Sequence, residues 1–95
     1  MSKAFLLAFS DSLGTQEQVK NWLNSIPEVS TWRFDMPHSF YIVSGADAKT
    51  IAEKLRVASG HEKGRFIVTE IPSNSWGYLT DESWYLIQNL KTKPK

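Results

Sequence analysis

The run Ala4-Phe5-Leu6-Leu7-Ala8-Phe9 is apolar at every position. A strand with one wet face alternates apolar and polar side chains, so an unbroken run suits a central strand covered on both faces. Alternation puts Phe5, Leu7 and Phe9 on one face and Ala4, Leu6 and Ala8 on the other, and neither set is polar. A sheet built around this segment therefore needs two covers. The run is far short of the roughly 20 apolar residues that span a bilayer, and short even for the apolar part of a signal peptide. No membrane association is expected.

Downstream, the turn formers Ser10 to Gly14 break the run. Thr15 and Gln18 have capping-box spacing, and Val19, Trp22, Leu23 and Ile26 follow on one helix face until Pro27 stops it. Val29–Phe34 and Phe40–Val43 are rich in β-branched and aromatic residues, and the loop Asp35-Met36-Pro37-His38 allows them to pair as an antiparallel hairpin. Asp47 predicts a second helix with Ala48, Ile51, Ala52 and Leu55 inward and Gly60 past its end. Arg65–Ile71 is the last strand, closed by Pro72.

The order strand, helix, strand, strand, helix, strand predicts an α+β, ferredoxin-like βαββαβ domain. It would place two helices on one face of a four-stranded antiparallel sheet. The strands nonetheless carry apolar groups on both faces. Such a patch exceeds what monomers leave in water, so a second copy of the chain is the expected cover. Beyond the core, 4–71, an extension over 72–90 carries Trp76-Gly77-Tyr78-Leu79 and then a short helix with Thr80 as cap, Asp81 and Glu82 in its first turn, and Trp84, Ile87 and Leu90 at three-residue spacing. It can dock on its own sheet or on a neighbour. Residues 1–90 read as one domain and 91–95 as a basic, disordered tail.

Composition narrows the chemistry. The 95 residues hold 11 Lys and Arg against 10 Asp and Glu, 41% hydrophobic residues and no cysteine. A chain this small buries about 60–65% of its unfolded surface, enough for one thin core. Disulfides, zinc-thiolate sites and cysteine nucleophiles are excluded, and the expected location is the cytoplasm. Without Lys91, Lys93 and Lys95, eight basic residues face ten acidic ones, so the positive balance belongs to the tail. Neither His38 nor His61 belongs to a metal-binding spacing, and no hydrolase elbow, phosphate loop or dinucleotide fingerprint occurs.

An apolar first strand ending in an acidic turn, the βαββαβ order, and Phe66-Ile67-Val68-Thr69-Glu70-Ile71 followed by Trp76-Gly77-Tyr78-Leu79 and a Trp-containing end together resemble the small SinR-type proteins. These are relatives of the CRISPR-associated adaptation endoribonuclease and of virulence-associated protein D. The resemblance implies a ferredoxin-like homodimer joined through its sheets and C-terminal segments, and in some relatives metal-dependent nuclease activity. The family aspartate ends the first strand, which points to Asp11 as catalytic residue and Mg2+ ligand. Here the sequence reads Phe9-Ser10-Asp11, so Ser10 stands at the aligned position. Asp11 is also well placed to close an Asx turn.

Lys54, Arg56, Lys63 and Arg65 flank the turn before the last strand and form a candidate phosphate-contacting rim, or a solvated helix end. Trp32, Phe34, Tyr41, Trp76, Trp84 and Ile87 are candidate dimer-interface anchors. Three functions follow: a homodimeric adaptation-nuclease-like protein with a magnesium-dependent phosphodiesterase site, a non-catalytic dimeric interaction module, or a single-stranded RNA binder using an aromatic sheet.

Overall fold

A computed structural model describes residues 2–60 and 64–89. In chain order the elements are β1 (Lys3–Phe9), α1 (Gln16–Ser25), β2 (Val29–Arg33), β3 (Ser39–Ser44), α2 (Ala48–Ser59), β4 (Phe66–Glu70) and α3 (Asp81–Gln88). The four strands form one sheet in the order β2-β3-β1-β4, antiparallel at every junction. The apolar run thus sits in an interior strand, as its lack of alternation requires. Leu90, the tail 91–95, His61 and Lys63 lie outside the described residues.

Each helix starts where a side chain satisfies its free N–H groups. At α1 the Thr15 hydroxyl accepts from the Gln18 N–H at 3.1 Å, and the Gln18 side chain accepts from the Thr15 N–H at 2.9 Å. At α2 the Asp47 carboxylate accepts from the Thr50 N–H at 2.8 Å. That hydrogen bond holds the Asp47 carboxyl below its ordinary range, helped by the Thr50 side chain and nearby lysines against a smaller opposing effect of burial. Gly60 ends α2 in the left-handed region (φ 68), where its N–H reaches the Arg56 and Val57 carbonyls.

One face of the sheet carries the core. Leu7 lies opposite Phe40 and Val68, Phe5 opposite Ile42, and Phe9 opposite Phe66. Val19 and Leu23 of α1 and Ile51 and Leu55 of α2 join Phe5, Leu7, Phe40 and Ile42 in one buried cluster. Each such side chain contributes about 1.5–3 kcal/mol on leaving water. A β-bulge between Val29 and Thr31 breaks the alternation of β2. Because an extra residue resets the face, Val29 and Trp32 can both pack on this cluster.

The opposite face has a cover from the same chain. Ala4, Tyr41 and Val43 are buried on it, and α3 packs over β3 with Ser83 fully buried. A side chain as small as serine lets the helix come close to the sheet. In the single chain α3 docks in cis, one of the two placements its sequence allows. The cover stops short of the β4 side, where Ile67 remains exposed.

Candidate functional site

Three loops meet at the end of the sheet where β1 stops. The Phe9 N–H donates to the His38 carbonyl and the Ser10 N–H to the Arg65 carbonyl, each at 3.0 Å. The Arg65 N–H in turn donates to the Ser12 hydroxyl at 3.1 Å. Residues from the β1–α1 turn, the β2–β3 loop and the start of β4 are thereby fixed together. Ser10, with its hydroxyl accepting from the Ser12 N–H at 3.3 Å, supplies the side chain that closes this turn. Asp11 is left to reach elsewhere.

The Asp11 carboxylate meets His38 Nε2 at 2.8 Å. The Asp11 side chain is 93% exposed, so water screens this pair strongly. His38 also packs on the Phe9 ring, with centroids 5.6 Å apart. A histidine held this way has a defined orientation. Its pairing with Asp11 crosses the fold, so no local sequence pattern announces it.

Magnesium takes oxygen ligands, commonly one or two carboxylates together with waters. Within one chain Asp11 supplies one exposed carboxylate, and that group is occupied by His38. Among the described residues no group of three or more His, Asp or Glu converges. The described residues of one chain therefore bring no further His, Asp or Glu to the Asp11–His38 pair.

Of the candidate phosphate rim, Lys54, Arg56 and Arg65 are among the described residues. Lys54 pairs with Glu28 at 3.7 Å. Arg56 stands in the last turn of α2, where its charge favours the helix end, and Lys63 lies outside the described residues. Arg65 joins the Asp11 end of the sheet, a convergence that spacing alone does not reveal.

The six candidate interface anchors also fall on two sides. Trp32 donates its indole N–H to Asn24 at 2.8 Å and lies edge-on to Phe40, which is also in ring contact with Phe34. These contacts join Trp32 and Phe34 to the helix-side aromatics. Tyr41 lies under α3 on the other face, only 3% exposed. There the extension and the sheet enclose a groove of about 420 Å³ whose lining includes Tyr41, Trp76, Trp84 and Ile87. Trp76 and Trp84 touch, with ring centroids 5.5 Å apart. Trp76 is nonetheless 87% exposed and Tyr78 99% exposed.

Two polar contacts fasten α3. Asp35 accepts from the N–H and hydroxyl of Thr80, and Arg33 pairs with Glu82. Desolvation pushes the Asp35 carboxyl up, but hydrogen bonds from Ser83 and Thr80 and the charge of Arg33 outweigh it and hold it below its ordinary range. Burial, and then the Asp35 charge, push the Tyr41 hydroxyl up.

The described residues define a small α+β domain with a four-stranded antiparallel sheet and three helices, none of them long and apolar enough to cross a membrane. Comparison with protein-family models, curated proteins and solved structures gave no match.

Proposed function

We propose that this chain is a ferredoxin-like interaction module that works as a homodimer, joined through the second face of its sheet and its C-terminal extension. The strand order β2-β3-β1-β4 and the shared core of α1 and α2 support the fold assignment. The observation that carries the function is the near-complete exposure of Trp76 and Tyr78 beside an apolar groove. Large aromatics held out of the core are the usual anchors of a protein interface, and a two-fold axis would present both patches to each other. Light scattering at micromolar concentration tests this. A dimer that Trp76→Ala with Tyr78→Ala converts to monomer supports it, and a monomeric wild type overturns it.

The Asp11–His38 contact favours a second reading, in which nucleic acid binds at the sheet end, as the resemblance to adaptation nucleases suggests. Arg65 would meet a phosphate while Asp11 orients His38 for proton transfer. A cleavage panel of single- and double-stranded RNA and DNA with magnesium, manganese or EDTA, run beside Asp11→Ala and His38→Ala, decides it. Equal activity in wild type and both variants removes the reading. The aromatic-sheet RNA reading draws no support from β3, because Phe40 and Tyr41 are both buried.

A further inference from the structure

The two edges of the sheet differ in how they are guarded. At β2 the bulge between Val29 and Thr31 interrupts the ladder, and Arg33 is engaged by Glu82 of α3. Bulges and charges are the usual devices that keep an edge from recruiting another strand. β4 pairs with β1 in unbroken register from Phe66 to Glu70 and contains no proline and no lysine. Its one charged residue, Glu70, closes the strand and lies opposite Phe5, on the helix side. On the α3 side Ile67 and Thr69 are exposed, Ile67 by 63%.

Alternate residues of an antiparallel strand aim their N–H and C=O groups at opposite neighbours. The Arg65 carbonyl accepts from the Ser10 N–H at 3.0 Å, and the Ile71 N–H donates to the Ala4 carbonyl at 2.8 Å. These two bonds fix the phase, so Arg65, Ile67, Thr69 and Ile71 face β1. Phe66, Val68 and Glu70 therefore aim theirs outward, where no strand of the described residues follows. That outward row is self-complementary. A two-fold axis normal to the sheet at Val68 sets Val68 against its own copy and Phe66 against the partner's Glu70, so every outward donor meets an outward acceptor. It is the one antiparallel register that overlaps the whole of Phe66–Glu70 in both copies. It also keeps the two Glu70 carboxylates apart and lays Ile67 beside the partner's Thr69 on the α3 side.

We propose that β4 pairs antiparallel with β4 of a second copy, joining two four-stranded sheets into one. The inference rests on the homodimer reading and assigns that dimer its seam. The self-matching register favours a second copy over a foreign strand. So does continuity with the aromatic patch, because the extension leaves β4 at Pro72 and Trp76 lines the groove together with Thr69. A strand edge by itself falls short of the roughly 1,200–2,000 Å² that a stable interface buries. Trp76 and Tyr78 of the two extensions, flanking the seam, would supply the remaining apolar area.

Amide exchange, followed residue by residue by NMR on the full chain, tests this beside mass from light scattering. In the dimer the N–H groups of Phe66, Val68 and Glu70 should exchange at least about tenfold more slowly than in the dilute monomer. Those of Ile67, Thr69 and Ile71, already directed at β1, should change far less. Ile67→Lys alters an exposed side chain and leaves the fold intact. It should weaken dimerisation about tenfold, since it puts lysine on the edge and sets two like charges diagonally across the seam. A dimer whose Phe66, Val68 and Glu70 amides exchange as fast as in the monomer, or one that Ile67→Lys does not weaken, would overturn the edge pairing and leave the homodimer standing. A wild type that stays monomeric overturns both. Masses that climb past the dimer with concentration would seat β4 on the partner's β2 edge instead, and so remove the two-fold seam.

Discussion

Asp35, in the β2–β3 loop, accepts both the N–H and the hydroxyl of Thr80, at 3.2 and 3.0 Å, across 45 positions of sequence. The Thr80 hydroxyl also accepts from the Ser83 N–H at 3.3 Å, so one side chain caps α3 and ties it to the sheet. Thr80→Ala removes both functions and should cost about 1 kcal/mol or somewhat more. Chemical denaturation measures the loss, and red-shifted tryptophan emission would place it at the α3 side. An unchanged midpoint would show that apolar packing alone holds the helix.

The same contact makes α3 docking sensitive to acid. Asp35 is held below the ordinary carboxylate range in the folded chain, so folding favours its ionised form. Its stabilisation is fully present above the unfolded pKa of about 3.9 and is lost as pH falls through the lower folded value. Amide protection in α3, taken relative to the intrinsic exchange rate at each pH, should therefore fall below about pH 4, and Asp35→Asn should flatten that dependence. If wild type and variant show the same acid response, another carboxylate controls it.

Gly64 and Gly60 resist side chains for different reasons. A Cβ on Gly64 would stand 2.9 Å from the Leu13 Cα, a backbone atom beside a fully packed side chain. Gly64→Ala should destabilise by about 1–3 kcal/mol through overpacking. At Gly60 nothing lies within 4 Å, and only φ 68 opposes a Cβ, so Gly60→Ala should cost about 1–2 kcal/mol. Calorimetry separates the two when Gly60→Asn is added, since asparagine tolerates the left-handed region and should recover part of that loss.

Leu7 and Asp11 are close in sequence and opposite in consequence. Leu7 is fully buried between Phe40 and Val68, so Leu7→Ala should cost about 2–5 kcal/mol. Asp11 is almost wholly exposed and touches the exposed His38. Asp11→Ala should leave the melting temperature unchanged, which makes it a clean functional variant for the cleavage panel. A large drop in melting temperature would mean that the Asp11–His38 contact organises the turn.

What the sequence made legible was local or periodic. The apolar run from Ala4 to Phe9 marked an interior strand, and Thr15, Asp47 and Thr80 marked three helix starts because a cap and its target are neighbours in the chain. The bulge between Val29 and Thr31 was invisible, since one residue of slip leaves composition unchanged while reversing a face. The pairing of Asp11 with His38 and of Asp35 with Thr80 was equally hidden, each joining loops that only the completed sheet brings together. Counting apolar faces did reveal that a second cover was required. It could not say that α3 of the same chain supplies part of it, because covers in cis and in trans bury the same side chains.

Burial of Tyr41 and Val43 under α3 also sets an order of events during synthesis. A nascent chain extended only to Leu79 has every strand of the sheet but lacks α3. Until the last helix emerges, the middle of β3 presents an aromatic and an aliphatic side chain to water, in the kind of partly covered state that aggregates most readily. Protection of that intermediate, by slow dilution in refolding or by a chaperone at the ribosome, is where the yield of this protein would be decided.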